Sequence, residues 1–192
     1  ETMITPIEED TKFLDEISSI PGGEKIRHCI QCGTCSASCP MVFKMDHSPR
    51  KIFAMAKAGM RKEVLSSNTI WYCVSCYSCH VRCPRGIKLT DIMYILKRLS
   101  IKYGLSTHGT ASPALSSTFA NIVNRYGRNH ETELIMRLFM KTNPLNLLKM
   151  LPLGLKLIIK GRMPFFPHRI KKTGLRELKA IINEANILGG EK

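Results

Sequence analysis

All eight cysteines of this 192-residue chain lie in two short runs that share one spacing, C-x2-C-x2-C-x3-C-P. The first run is CIQCGTCSASCP at 29–40, and the second is CVSCYSCHVRCP at 73–84. Thiolates are soft ligands that bind iron in iron–sulfur clusters. A tight backbone loop with three cysteines at this spacing can place one thiolate at each of three corners of an iron–sulfur cube. The two runs therefore predict two 4Fe-4S clusters, which transfer single electrons.

The fourth cysteine of each run follows three residues later and points away from that loop. The spacing is similar to that of bacterial two-cluster ferredoxins, in which the fourth cysteine ligates the other cluster. This resemblance implies that Cys29, Cys32, Cys35 and Cys83 hold cluster 1, and that Cys73, Cys76, Cys79 and Cys39 hold cluster 2. Each run would then anchor both clusters, at a separation that permits electron tunnelling.

Zinc and disulfides are the alternatives for so many cysteines. Zinc sites favour C-x2-C pairs separated by a longer loop, which leaves the third cysteine and the C-P pair unexplained. A disulfide framework needs an oxidising compartment. The N-terminus is acidic at Glu8, Glu9 and Asp10 and lacks the apolar segment of a signal peptide, which argues against such a compartment.

The formal net charge of +14 counts the cysteines as neutral, so a chain with anionic clusters is less basic. Basic residues beside the runs either raise the reduction potentials of the clusters or are ordinary solvated side chains: Lys25, Arg27, Lys44, Arg82, Arg85 and Lys88. Arg50 contacts a cluster environment or a partner, or is a surface residue. A basic chain can bind nucleic acid, but no nucleic-acid module is recognisable and aromatic residues make up only 7%. We therefore expect no nucleic-acid binding.

Capping signals predict helices along the chain. Ser48-Pro49 and Ser112-Pro113 each combine an N-cap with a proline at the first helical position, and Thr90 can cap a further helix. Asn143-Pro144 opens another helix, which we expect to be interrupted at Pro152. No segment shows the alternation of a strand. The sequence thus predicts an all-α protein with both clusters in loops between helices.

We expect two regions, a two-cluster domain at 1–105 and a helical extension at 106–192. In the extension, residues 147–169 alternate between apolar and basic side chains. Three interpretations stay open for them: a buried helix pair, a docking surface for a partner protein, or a basic amphipathic element on a membrane surface. Lysines interrupt the apolar residues, so no membrane span is expected.

Three segments carry a resemblance to the iron–sulfur C subunit of heterodisulfide reductase from methanogenic archaea. They are HCIQCGTCSASCP at 28–40, SPRKIFAMAKAG at 48–59 and EVLSSNTIWYCVSCYSCHVRCPRGIKLTDIM at 63–93. The resemblance covers roughly residues 20–105. It implies an α-helical ferredoxin fold in a cytoplasmic complex with two other proteins. These are the A subunit, which contains flavin and iron–sulfur clusters and which we call the flavin subunit, and the B subunit, which we call the catalytic subunit.

In that family, the C subunit passes electrons from the flavin subunit to the catalytic subunit, which reduces the coenzyme M–coenzyme B heterodisulfide. A nickel–iron hydrogenase joins the larger complex in many methanogens. Without the resemblance, the residues predict a less specific function, because the chain shows no nucleotide-binding motif and no cysteine outside the two runs. They predict a non-catalytic electron-transfer subunit of an oxidoreductase. The alternatives are an iron–sulfur subunit of another respiratory dehydrogenase and a freestanding two-cluster ferredoxin.

Overall fold

A computed structural model describes residue 10 and residues 12–106, 111–162 and 169–188 of the chain. The chain divides into two compact units, the first made of Glu1–Thr110 and Leu188–Lys192 and the second of Ala111–Ile187. Within these described residues every regular element is a helix and none is a strand. The all-α prediction is therefore confirmed.

The first unit contains seven α-helices among its described residues, several of them only one turn long. They are α1 (Phe13–Ser19), α2 (Thr34–Ala37), α3 (Pro49–Lys57), α4 (Arg61–Ser66), α5 (Thr69–Tyr72), α6 (Ser78–Val81) and α7 (Leu89–Lys102). Short 3-10 helices lie at Glu24–His28 and Val42–Lys44. Because α2 and α6 are single turns inside the two cysteine runs, the longer helices α3 and α7 supply the rigid support on which the runs rest.

One predicted cap of this unit is confirmed and one is wrong. Ser48 caps α3, since its hydroxyl accepts a hydrogen bond from the Lys51 N–H and Pro49 occupies the first turn. Thr90 does not cap α7, because that helix begins one residue earlier at Leu89. The Thr90 side chain is instead 1% exposed and faces the interior.

A single apolar core holds the first unit together. Its fully buried members come from α1, α3, α4, α5, α7 and the first 3-10 helix: Phe13, Ile17, Ile26, Ile52, Phe53, Ala56, Val64, Leu65, Ile70, Ile92 and Leu96. Five cysteines pack against this core: Cys29, Cys35, Cys73, Cys79 and Cys83. The cysteine runs are thus anchored on the core rather than projecting into solvent.

The second unit contains α8 (Ser112–Tyr126), α9 (Glu131–Thr142), α10 (Pro144–Ile159) and α11 (Lys172–Leu188). Asn143 caps α10 as predicted, because its side-chain oxygen accepts from the Leu145 N–H. Two other expectations are wrong. Ser112 is already helical and makes no cap, and α10 continues through Pro152 instead of stopping there.

The described helices of the second unit bury few side chains. Thr118, Ile122, Tyr126 and His130 are its buried residues in the described ranges. On α10 an apolar row of helical spacing is more than half exposed: Leu145, Leu148, Leu151, Leu155 and Ile159. The buried helix pair, one of our three interpretations, is therefore not what the described part of α10 forms. No helix in the described ranges is both long and apolar enough to cross a membrane.

Candidate iron–sulfur centres

Two cavities in the first unit divide the eight cysteines into two sets of four. Cavity 1 is lined by Cys29, Cys32, Cys35 and Cys83. Cavity 2 is lined by Cys73, Cys76, Cys79 and Cys39. Each cavity thus takes three cysteines from one run and the fourth from the other run. This grouping is the one that the predicted ligand crossover requires, and it supports that assignment.

The backbone of the two runs turns in the same way. In the first run Gln31 and Gly33 have left-handed φ angles of 57° and 85°, and in the second run Ser75 and Tyr77 have φ angles of 55° and 60°. Left-handed residues reverse the chain locally. The two turns between the first and third cysteines bring three thiols of each run to one cavity.

Hydrogen-bonding groups two residues further along the chain lower the pKa of the second cysteine in each run. Cys32 Sγ lies 3.4 Å from Thr34 Oγ1, and Cys76 Sγ lies 3.6 Å from Ser78 Oγ. The hydrogen bond to the Thr34 side chain lowers the pKa of Cys32. The backbone N–H of Ser78 lowers the pKa of Cys76, and the Ser78 hydroxyl adds to this effect. Both of these cysteines are exposed.

Three other thiols are affected mainly by burial. Desolvation raises the pKa of Cys35, Cys39 and Cys79. A thiol whose pKa is raised is protonated at neutral pH unless a metal takes the place of the proton. Each cavity therefore offers four sulfur donors, three of them partly removed from water, and this set fits a metal centre better than it fits free thiols.

A lysine from the supporting helix holds the first cysteine of each run. Lys57 Nζ on α3 donates to the Cys29 carbonyl oxygen, and Lys97 Nζ on α7 donates to the Cys73 carbonyl oxygen, both at 3.1 Å. An ammonium group that bonds a carbonyl fixes the start of the loop and adds a positive charge close to the cavity. We call these two contacts the lysine clamps.

The Thr90 hydroxyl is a buried polar group at cavity 2. It lies beside the Cys79 thiol and opposes the rise in the pKa of that cysteine. Among the described residues Thr90 Oγ1 has no hydrogen-bond partner of ordinary geometry, although Thr90 lines the cavity. A buried hydroxyl without a partner is costly, and a cluster sulfur in cavity 2 would satisfy it. The residues of the cavity therefore fit the cluster that the sequence predicts.

The sequence prediction missed the roles of Lys57, Lys97 and Thr90. The sequence contains a pattern that could have revealed these roles, because three positions recur with the same spacing on α3 and α7. They are Arg50, Phe53 and Lys57 on α3, and Thr90, Met93 and Lys97 on α7. The first two residues of each set line the adjacent cavity, and the third forms the clamp. Each run is thus followed by a helix of the same design, and we call this repeat of run and helix the internal duplication.

Comparison with known proteins agrees with this geometry. Residues 25–87 match the family of 4Fe-4S dicluster domains. This match confirms the predicted pair of 4Fe-4S clusters, rather than zinc or disulfide chemistry, for residues 25–87.

The chain is similar to the C subunits of reductases that act on the heterodisulfide of coenzymes B and M. It is 36% identical over 95 residues to the C subunit of the H2:CoB-CoM heterodisulfide,ferredoxin reductase of Methanothermobacter marburgensis, covering 50% of this chain and 51% of the relative. It is 34% identical over 111 residues to the iron–sulfur C subunit of the heterodisulfide reductase of Methanopyrus kandleri, covering 54% and 58%.

A third relative is the C subunit of the ferredoxin:CoB-CoM heterodisulfide reductase of Methanosarcina mazei, 40% identical over 82 residues, with 43% of this chain and 50% of the relative covered. The chain spans about half the length of the curated relatives it matches. The resemblance to the heterodisulfide reductase C subunit that the cysteine runs and their flanking segments indicated is confirmed.

Proposed function

We propose that this chain is the electron-relay component of a cytoplasmic heterodisulfide reductase complex. Single electrons pass through it from the flavin subunit, which also contains iron–sulfur clusters, to the catalytic subunit, which reduces the coenzyme M–coenzyme B heterodisulfide. The observation that carries the proposal is the pair of four-cysteine cavities in a segment similar to the C subunit of known reductases. The chain itself transforms no substrate in this proposal.

The ligand sets follow from the cavities. In cavity 1 they are Cys29, Cys32, Cys35 and Cys83, and in cavity 2 they are Cys73, Cys76, Cys79 and Cys39. When bound, each 4Fe-4S cluster accepts and returns one electron. Leu89 lines both cavities and is only 4% exposed. Its side chain therefore excludes water from the short path between the two centres.

Each cavity also has a side from which a partner can approach. Cys32 in cavity 1 and Cys76 in cavity 2 are the exposed cysteines of the two sets, whereas the other ligands are partly buried. Electron transfer falls off steeply with distance, so a redox partner must reach the exposed edge of a cluster. Two separate exposed edges suit a relay with one donor and one acceptor.

We further propose that residues 1–105 form the two-cluster domain and that the extension 106–192 docks a partner protein of the complex. The exposed apolar row on α10 supplies the contact area. The helix Pro144–Ile159 contains Lys149 and Lys156 and no acidic residue. A complementary surface is apolar with carboxylates at its rim. The partners are the flavin subunit and the catalytic subunit, and a nickel–iron hydrogenase belongs to the larger complex.

Anaerobic purification of the tagged chain from its native host tests this proposal. We expect a flavoprotein and a cysteine-rich catalytic protein to co-purify with heterodisulfide reductase activity. The matched variant Leu151→Glu/Leu155→Glu should keep its iron and lose these partners, because it places charges in the apolar row of α10. If the chain purifies alone with about eight irons and no activity, it is a freestanding ferredoxin and the relay proposal is wrong.

A further inference from the structure

The internal duplication allows the two cavities to be compared position by position. Arg50 on α3 lines cavity 1, and Thr90 occupies the corresponding place on α7 at cavity 2. Arg85 follows the Cys83-Pro84 pair and lines cavity 1, and Met41 follows the Cys39-Pro40 pair and lines cavity 2. At both places cavity 1 therefore has a guanidinium group where cavity 2 has a neutral side chain.

Other charges near the ligands do not cancel this difference. Each lysine clamp brings one ammonium group 3.1 Å from the carbonyl of a first cysteine. The Lys97 clamp at cavity 2 is the more buried of the two, but the two guanidinium groups remain as additional charges at cavity 1. No charged side chain belongs to the described lining of cavity 2, which is formed largely by methionine, proline, valine, leucine and tyrosine. The Arg50 guanidinium also lies close to the first run: a Cβ at Gly33 would be 3.9 Å from its Nη1.

Local charge acts directly on a cluster's reduction potential. Reduction adds one negative charge, so nearby cations stabilise the reduced form and apolar surroundings destabilise it. The Thr90 hydroxyl opposes this difference by offering one neutral hydrogen bond to cavity 2. At cavity 1 two guanidinium charges act in the other direction, although solvent screens them in part because both arginines are exposed. The balance of these effects favours the reduced state at cavity 1.

We propose that the cluster in cavity 1 has the higher reduction potential, so that a single electron in this chain resides there. The proposal rests on the two-cluster relay proposed above and adds the direction of electron flow between the two clusters. An electron from a one-electron donor protein enters at cavity 2, oxidation there accompanies reduction at cavity 1, and a one-electron acceptor protein removes it. No proton is transferred. The donor therefore docks beside Cys76 and the acceptor beside Cys32.

Redox titration of the anaerobic holoprotein, followed by electron paramagnetic resonance, tests this order. We expect two one-electron couples, with at least about a tenfold preference for one centre, which corresponds to about 59 mV. Arg50→Thr/Arg85→Met should lower the higher couple and leave the lower one unchanged. Thr90→Arg/Met41→Arg should raise the lower couple. The charge-preserving control Arg50→Lys/Arg85→Lys should leave both couples near their original values.

The single variant Arg50→Thr provides the same test, with about half the shift, if a double variant does not fold. Both arginines are exposed, so high salt should also narrow the gap between the couples. A lower couple that responds to the loss of the arginines, or no response in either, overturns the proposed order. In those cases two 4Fe-4S signals still support the relay. A holoprotein without such signals overturns both proposals.

Discussion

The two halves of the cluster domain have the same backbone design and different side chains around their cavities. Both runs use two left-handed residues to turn, both present an exposed second cysteine, and both begin at a carbonyl held by a lysine. The cavities then differ in charge, with Arg50 and Arg85 at cavity 1 and Thr90 and Met41 at cavity 2.

This comparison separates two tasks that one sequence motif performs. The shared features position sulfur atoms, so they determine whether a cluster is held. The variable positions do not ligate, so they can change the energy of an electron without changing the geometry of the site.

Removal of a fourth cysteine should produce the largest effect. We expect Cys39→Ala to lose the cluster of cavity 2, or to convert it to a three-iron form, while the cluster of cavity 1 is retained. Cys83→Ala should do the reverse. Iron analysis and electron paramagnetic resonance of the anaerobic proteins measure both outcomes.

Two reference variants identify which cluster has been lost. Cys76→Ala removes a ligand of cavity 2 within the second run, and Cys32→Ala removes a ligand of cavity 1 within the first run. The spectrum of Cys39→Ala should match that of Cys76→Ala. A match with Cys32→Ala instead would show that each run holds its own cluster without crossover.

The lysine clamps should contribute less, and unequally. A hydrogen bond to a charged group contributes about 1.5–3 kcal/mol when shielded from water, and less when exposed. The Lys97 contact is partly buried and its ammonium group also lies over the Tyr94 ring at 5.3 Å, whereas the Lys57 contact is exposed. We expect Lys97→Met to cost about 2 kcal/mol and Lys57→Met about 1 kcal/mol or less.

Cluster absorbance during anaerobic guanidinium unfolding measures this difference. The charge-preserving variants Lys57→Arg and Lys97→Arg should lose much less stability than the methionine variants. Equal losses for Lys57→Met and Lys97→Met would contradict the difference in burial between the two clamps.

The Thr90 hydroxyl should have a smaller effect, on potential more than on stability. Thr90→Val removes a buried hydroxyl from cavity 2 and keeps the side-chain shape. A lost hydrogen bond of about 1 kcal/mol lowers a one-electron potential by about 40 mV. Redox titration should show this fall in the couple of cavity 2 alone. Thr90→Ser should restore the potential, and a fall of equal size in both couples would exclude a local hydrogen bond.

Much of this domain was predictable because ligand chemistry constrains spacing more strongly than packing does. The two runs predicted both clusters, and Ser48-Pro49 predicted the start of α3, since a cap followed by proline is a local signal. Thr90 was misassigned as a cap because a local pattern does not determine the first residue of a helix, which here is Leu89.

The second unit was harder to predict for a related physical reason. An apolar stretch such as that of α10 has the pattern of a buried helix, and sequence alone does not show whether a partner side chain or solvent covers it. Pro152 was expected to break this helix. One missing backbone hydrogen bond did not end it, because apolar side chains on both sides of the proline continue to favour the helix.

The smallest effect should come from the left-handed position that the two runs fill differently. Gly33 adopts its φ of 85° without strain, whereas Tyr77 holds a φ of 60° with a side chain present. A Cβ at Gly33 would meet Arg50 Cδ at an ordinary 3.7 Å, so the cost of Gly33→Ala comes from the backbone alone. We expect a loss of about 1 kcal/mol, read from anaerobic thermal unfolding.

Tyr77→Gly should be nearly neutral, within about 0.5 kcal/mol, because relief of strain is offset by the added freedom of glycine in the unfolded chain. It also loses the contact of the Tyr77 and His80 rings, whose centroids are 6.1 Å apart. A clear gain in stability from Tyr77→Gly would show that the second run stores strain that the first avoids. If Gly33→Ala left the stability unchanged, the two runs would not share this turn, and their backbones would not be equivalent at that position.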